Sequence, residues 1–329
     1  MRGARRALGA LSGGDFSIRL PARALDDLGF LAVSFNHTAE RHHGKTRGKG
    51  RWTRFDPSMH NAATERRQLQ GDLRLAIANE ELHIHYQPLV ELSTGRVAGF
   101  EALLRWTHPV RGAIPPDVFV PVAEESGLIV PLGRWTLLAA CQQLADWRER
   151  RMSNGIPLFI TVNVSGRQLH HAGFVDDVVQ TIETTGLPAD ALVLELTESS
   201  VIQQSHVAKE RLWQLRNSGV RLAIDDFGTG YSSLSYLQQF PIDTIKIDRS
   251  FVDGVLDGGP QEALVRTIVL LGQALSLRTV AEGIESESQA EALRAMGCEF
   301  GQGFLYAKPM PPAAAEAFWA AQALRFVPR

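Results

Sequence analysis

The sequence predicts a closed α/β barrel, a modified TIM (β/α)8 barrel in which strand 1 runs antiparallel to strand 2. Three observations predict it. Eight short apolar runs of strand character alternate with amphipathic helical stretches between residues 82 and 306. The length of 329 residues accommodates a barrel of about 250 residues with an appendage. The first two runs are separated only by residues around Leu92-Ser93-Thr94-Gly95, whereas a parallel crossover needs about a dozen. That connection must be a hairpin.

In chain order the runs are LHIHYQPLV (82–90), RVAGFEALLRW (96–106), PLFITVNVS (157–165) and ALVLELTES (191–199). VRLAIDDF (220–227), DTIKIDRS (243–250), LRTVAEGI (277–284) and EFGQGFLY (299–306) follow. Helical stretches such as GRWTLLAACQQLADWRERR and QEALVRTIVLLGQALSL lie between them. Trp106, Trp135 and Trp147 are expected in the core or in helix packing. His83 and His85 read as ordinary strand polar residues rather than metal ligands.

Residues before about 68 lack this alternation and are expected to form a short helical and linker extension. HHGKTRGKGRWTR (42–54) is basic and without hydrophobic period, as in a solvated linker. Overall, 34 basic residues against 36 acidic ones give a formal net charge of −2. That balance argues against bulk electrostatic binding of nucleic acid or of a membrane surface. Cys141 and Cys298 have no metal-ligand spacing and are expected to be reduced, buried thiols. No apolar run approaches the roughly 20 residues that span a bilayer. The opening MRGARRALGALSGG is too short and Gly-broken for a signal peptide. A soluble cytoplasmic chain is expected, possessing no membrane span of its own.

Function is concentrated at the strand ends. Strand side chains alternate faces, so the same-face neighbour of each polar residue lies two positions earlier. Thr161 precedes Asn163, Val193 precedes Glu195, Ala223 precedes Asp225, Thr244 precedes Lys246 and Val280 precedes Glu282. These neighbours are small or β-branched, as the packed layers of a barrel interior require. The polar residue then stands above them at the carboxyl end of its strand, where barrels of this kind carry their active sites. Glu101, Asn163, Glu195, Asp225, Lys246, Glu282 and Gln302 are thus expected to converge on one mouth.

That mouth is rich in carboxylate and amide oxygens, which suit hard cations such as Mg²⁺ or Mn²⁺. In LAIDDFGTG (222–230) two carboxylates, Asp225 and Asp226, stand side by side at the end of an apolar strand. Their mutual repulsion would be offset by divalent metal, one aspartate bridging two cations and the other binding one. Two cations about 3.5–4 Å apart suit phosphate-ester hydrolysis, where they clamp phosphoryl oxygens and lower the pKa of a bound water.

The motifs YQPLV, EALLRW, TVNVS, ELTES, DDFGTGYSSL, KIDRSFV, AEGIE and GQGFLYAKP occur in this order. Together they resemble the EAL domain family, phosphodiesterases that hydrolyse cyclic di-GMP to linear pGpG, over roughly residues 68–315. The resemblance implies a metal set of Glu101, Asn163, Glu195, Asp225, Asp226 and Glu282, holding two Mg²⁺ or Mn²⁺ ions. It implies that Lys246 contacts the attacking water or the phosphate. Glu282 is the implied general base, although a cation-activated water would need no separate base. Gln87, Leu104, Arg105 and Gln302 would line the dinucleotide site. Glu198 and Glu285 would hold the DDFGTG loop, itself a mobile cover or dimer contact, and order the groups behind the ligands. Glu299 stands where Asp is commoner.

Segment 14–43 resembles the second half of a HAMP signalling module, and 54–77 the tail of a diguanylate cyclase domain. SGGDF (12–16) is similar to the GGDEF signature but lacks its second acid and flanking strands, and is set aside. The expected organisation is a HAMP-like remnant at 1–41, a linker with a cyclase-tail-like segment at 42–67, and an EAL domain at 68–329, with homodimer formation. The alternative is a non-enzymatic receptor for cyclic di-GMP, or for a protein partner, on the same barrel. Such receptors lose metal ligands or the DDFGTG loop, and this sequence retains both.

Overall fold

A hairpin opens the barrel: β1 (Leu82–Glu91) pairs antiparallel with β2 (Val97–His108), with Gln87 opposite Glu101. This is the computed structural model of the chain, and it describes residues 57–151, 158–198, 200, 206–229 and 239–325. A short β3 (Gly112–Ile114), not anticipated from the sequence, folds back on β2. The parallel series β2, β4 (Phe159–Asn163), β5 (Leu192–Thr197), β6 (Arg221–Phe227), β7 (Thr244–Ile247), β8 (Arg278–Ala281) and β9 (Phe300–Gly301) follows. Pairing of β9 with β1, again antiparallel, closes the ring. The expected modified barrel is therefore present, with strand 1 reversed.

The last expected strand, 299–306, is reduced to Phe300–Gly301. The Ile284 N–H donates to the Gln302 carbonyl (3.0 Å) and the Leu305 N–H donates to the Ile284 carbonyl (3.0 Å). These bonds draw residues 302–305 around Ile284 and away from the ladder.

Two apolar layers hold the barrel. Outside, Ile160, Val162, Leu194, Leu222 and Ile245 pack against helices such as Ile129–Arg151, whose Trp147 meets Tyr86 and Phe100. Inside, Leu89, Phe159, Val193, Ala223, Val280 and Phe300 form the floor. Val193, Ala223 and Val280 are the residues placed beneath polar ones by strand alternation, and Thr161 and Thr244 are buried beside them. The guanidinium groups of Arg221 and Arg278, at strand starts, lie over the Phe159 and Phe300 rings at 5.1 and 5.8 Å. They close the amino-terminal end of the barrel.

The chain divides into a unit of Met1–Glu65 and a unit of Arg66–Arg329. The helix Pro57–Ala76 presents Leu69, Leu73 and Ala76 at helical spacing. These bury against Leu82, Trp106, Phe119 and Leu132. The HAMP-like segment, the basic run at 42–54 and the loop residues 230–238 lie outside the described residues. Among the described residues no helix is long and apolar enough to cross a membrane. Cys141 and Cys298 are free and buried. Burial pushes their thiols up to about 12 and about 11, consistent with unreactive structural roles.

Candidate active site

The strand ends deliver their polar residues to one place. Glu101 comes from β2, Asn163 closes β4, Glu195 lies in β5, Asp225 in β6 and Lys246 in β7. Glu282 follows β8 directly, its N–H donating to the Ile247 carbonyl at 3.0 Å. Gln302 follows β9, its N–H donating to the Ala281 carbonyl at 2.9 Å.

Lys246 is the hub. Its Nζ lies 2.6 Å from Glu282 Oε1, 2.7 Å from Glu195 Oε2, 3.2 Å from Asp225 Oδ1 and 3.9 Å from Glu101 Oε1. Burial alone would lower the pKa of this ammonium, but the carboxylates of Glu101, Glu195, Glu282 and Asp225 outweigh it and hold it well above the usual range. The acids carry the complementary strain. Burial raises Glu195 well above the carboxylate range against the pull of Lys246, and raises Glu282 to about 7. Asp226 is raised by burial and then by Asp225.

Asp225 and Asp226 do not take the opposite faces of a regular strand. Asp226 has a φ of +55°, and the register between β6 and β7 breaks between Ile224 and Phe227. The Asp226 N–H donates to Asp225 Oδ1 at 3.0 Å. This left-handed step is uncommon away from glycine, though Asp tolerates it better than most. It brings one oxygen each of Asp225, Asp226 and Glu282 within 4.8 Å of one another, a separation that a single cation can bridge.

On the other side of Lys246, Glu101 accepts from Asn163 Nδ2 (2.7 Å) and Gln302 Nε2 (2.6 Å). Gln302 Nε2 also donates to Gln87 Oε1 (3.0 Å), and Gln87 Nε2 donates to the Ala307 carbonyl (3.1 Å). Gln302 Oε1 is buried without a partner. Such an acceptor is costly unless something donates to it.

The remaining predicted residues are spread around this centre. Glu198 is buried, and its Oε2 accepts from the Gly228 N–H at 3.0 Å, tying down the start of the DDFGTG turn. Glu285 pairs with Arg249 at 2.7 Å rather than with the acid cluster. Arg105 lies further along the hairpin, its Nη1 donating to the Leu104 carbonyl at 2.9 Å, while Leu104 packs on the Trp106–Phe119 cluster.

Two cavities flank the centre. One of 240 Å³ is lined by Gln87, Glu101, Glu282 and Gln302 together with Arg249 and Phe304. The other, of 410 Å³, carries Leu104, Arg105, Asn163 and Glu195 with a largely apolar wall. Leu103 lines both. Sequence reasoning missed it, although it shares the Glu101 face of β2 by simple alternation. Arg249, which opens the short helix Arg249–Val252, and Phe304, which follows β9, were likewise passed over, although they lie inside the KIDRSFV and GQGFLYAKP motifs.

Comparison with known proteins places this arrangement. A model described as "EAL domain" matches residues 70–309. The chain is 43% identical over 279 residues to the bifunctional diguanylate cyclase/cyclic di-GMP phosphodiesterase MucR of Pseudomonas aeruginosa, covering 85% of this chain and 40% of that protein. It is 42% identical over 275 residues to the cyclic di-GMP phosphodiesterase PdeR of Escherichia coli, covering 84% and 41%. This chain therefore spans about two-fifths of those relatives' length. A solved structure of the PaMucR phosphodiesterase in complex with c-di-GMP superposes with a TM-score of 0.71 at 44% identity, covering 75% of this chain and 99% of that one. With the family's model matching most of its length and its strand-end acids gathered in one mouth, the chain belongs to the EAL domain family.

Proposed function

We propose that the chain is a metal-dependent phosphodiesterase that hydrolyses cyclic di-GMP to linear pGpG. The observation that carries this reading is the mouth itself: four carboxylates, of Glu101, Glu195, Asp225 and Glu282, gathered around one ammonium, with that of Asp226 beside Asp225 and Glu282. The donor set fits divalent cations. Its oxygens exceed what Lys246 can neutralise, three of its acids have raised pKa values, and Asp225, Asp226 and Glu282 already lie at chelating separation. Mg²⁺ or Mn²⁺, two per site, would be held by Glu101, Asn163, Glu195, Asp225, Asp226 and Glu282. Bound there, the cations would polarise a phosphoryl oxygen and lower the pKa of an attacking water.

The chain's own groups do the rest. Lys246 supplies a fixed positive charge where negative charge grows on the phosphoryl group, and because it is already desolvated it needs no reorganisation. Glu282, whose carboxyl burial raises to about 7 in the cation-free chain, is the acid of the mouth that would take a proton from the attacking water. Gln87 and Gln302 form an amide pair that orients Glu101 and offers the open Gln302 Oε1 to a donor on the substrate. Arg105 suits a phosphate through guanidinium donors, and Leu104 the apolar wall beside it. Glu198 and Glu285 act behind these groups, Glu198 by holding Gly228.

On the same reading, residues 68–329 form the EAL domain, preceded by a linker and cyclase-tail-like segment at 42–67 and a HAMP-like remnant at 1–41. The chain would act in the cytoplasm as a homodimer, which size-exclusion chromatography with light scattering tests. The activity is tested by incubating purified protein with cyclic di-GMP and Mg²⁺, with and without chelator. Cation-dependent loss of substrate supports the enzyme. Binding without hydrolysis under Mg²⁺ or Mn²⁺ supports a receptor.

A further inference from the structure

Beneath the acid cluster, inside the barrel, lies a small cavity of about 10 Å³. Glu195 and Lys246 line it from above, and Arg221 and Arg278, at the strand starts, line it from below. The layer between them is apolar except for Thr161 and Thr244. Thr161 stands on β4 two residues before Asn163, and Thr244 stands on β7 two residues before Lys246. Both therefore share the inner face of their strands with the polar residue above. β5 and β6 separate the two threonines around the ring.

Thr161 decides what this cavity suits. The residue is 2% exposed, and its Oγ1 is buried without a hydrogen-bond partner. Valine has the same shape and would fill the layer as Val193 and Val280 do, with no hydroxyl to desolvate. A buried hydroxyl is costly unless something bonds to it, and ordered water is a common partner in such places. The 10 Å³ of the cavity is about what a single water needs. Thr161, Thr244 and Glu195 together offer the polar contacts that hold a buried water.

We propose that this cavity binds one water molecule, held by the Thr161 and Thr244 hydroxyls and donating to the Glu195 carboxylate. Thr161 is thereby a positioning residue for the Glu195–Lys246 pair. Lys246 Nζ directs its hydrogens to Glu282, Glu195 and Asp225, at 2.6, 2.7 and 3.2 Å. The carboxylate of Glu195 is then the acceptor left for the water. Lys246 holds that carboxylate through Oε2, and the water supports it from beneath. An effect on turnover rests on the reading of the mouth as a phosphodiesterase site, whereas the water site does not.

The test combines high-resolution crystal structures of the wild type, Thr161→Val, Thr161→Ser and Thr244→Val with thermal melts and cyclic di-GMP kinetics in Mg²⁺. Wild type and Thr161→Ser should show density for a water at hydrogen-bond distance from the residue 161 hydroxyl, and the two valine variants should lose it. Thr161→Val should melt below wild type, because its water or its site loses a partner, and its kcat should fall by about tenfold with KM within about twofold. Thr161→Ser gives up a buried methyl and should also melt lower, yet keep turnover within about twofold of wild type. Absence of the water from the wild type, or a Thr161→Val that melts higher than wild type, would overturn the site. Turnover that is unchanged in Thr161→Val, or that falls with melting alike in the serine and valine variants, would overturn the positioning role. A wild type that holds the water yet hydrolyses nothing would leave the water site standing and remove the enzymatic reading.

Discussion

Lys246 and Glu282 are joined by a 2.6 Å ion pair at the centre of the acid cluster, with 1% of the lysine side chain exposed. A charge so deeply buried is tolerated because it is surrounded by opposite charge. That burial gives Lys246 a part in stability as well as in turnover. Removing the ammonium leaves Glu195 and Glu101 buried without a counter-charge, and breaking a buried pair costs about 3–5 kcal/mol. Lys246→Ala should melt well below wild type without cations and recover much of the difference in Mg²⁺. Differential scanning calorimetry with chelator and with Mg²⁺ reads both.

The raised pKa of Glu282 gives a pH dependence with a definite sign. In the folded, cation-free chain Glu282 keeps a proton up to about pH 7, whereas the ordinary value is 4.5. The folded state therefore binds more protons than the unfolded state in that window, and its contribution to stability falls as pH rises from about 4.5 to 7. Glu282→Gln should remove this slope, gaining on wild type by roughly 1–3 kcal/mol between pH 5 and pH 8. Added Mg²⁺ should raise the wild-type melting temperature more at pH 8 than at pH 5.5, because protons and cations compete for the same oxygens. Equal shifts at both pH values would argue against cation binding by these acids.

Glu101 joins Asn163 to Gln302. Glu101→Ala should lower turnover by roughly a hundredfold or more through loss of a cation ligand. Melting should change less than for Lys246→Ala, since one of five crowded acids is removed. Calorimetry beside steady-state kinetics separates the two effects.

The amino-terminal boundary can be tested by truncation. Removing residues 1–60 should leave turnover within about threefold, since the matched domain begins at residue 70. Removing residues 1–76 should destabilise the barrel, because Leu69, Leu73 and Ala76 are buried in its side cluster. Thermal melts of the two truncations provide the comparison.

The parts of the site that the sequence displayed follow from periodicity. Alternation along β2, β4, β5, β6 and β7 put Glu101, Asn163, Glu195, Asp225 and Lys246 above Val193, Ala223 and their neighbours, and the short Leu92–Gly95 link required a reversed first strand. What could not be read depends on non-local backbone geometry. The collapse of the last strand comes from Ile284 bonding to Gln302 and Leu305. The positive φ of Asp226 is invisible in a run of two identical acids. Arg249 and Glu285 meet although they are 36 positions apart, with the helix Pro260–Ala274 and β8 between them, which no local pattern encodes.

The central claim is tested most directly by following the products of cyclic di-GMP over time by chromatography, with purified wild-type chain and Mg²⁺ or Mn²⁺. The account predicts stoichiometric conversion to linear pGpG, abolished by chelation and restored by the cation. Persistence of intact cyclic di-GMP bound to a folded, cation-loaded protein would contradict it.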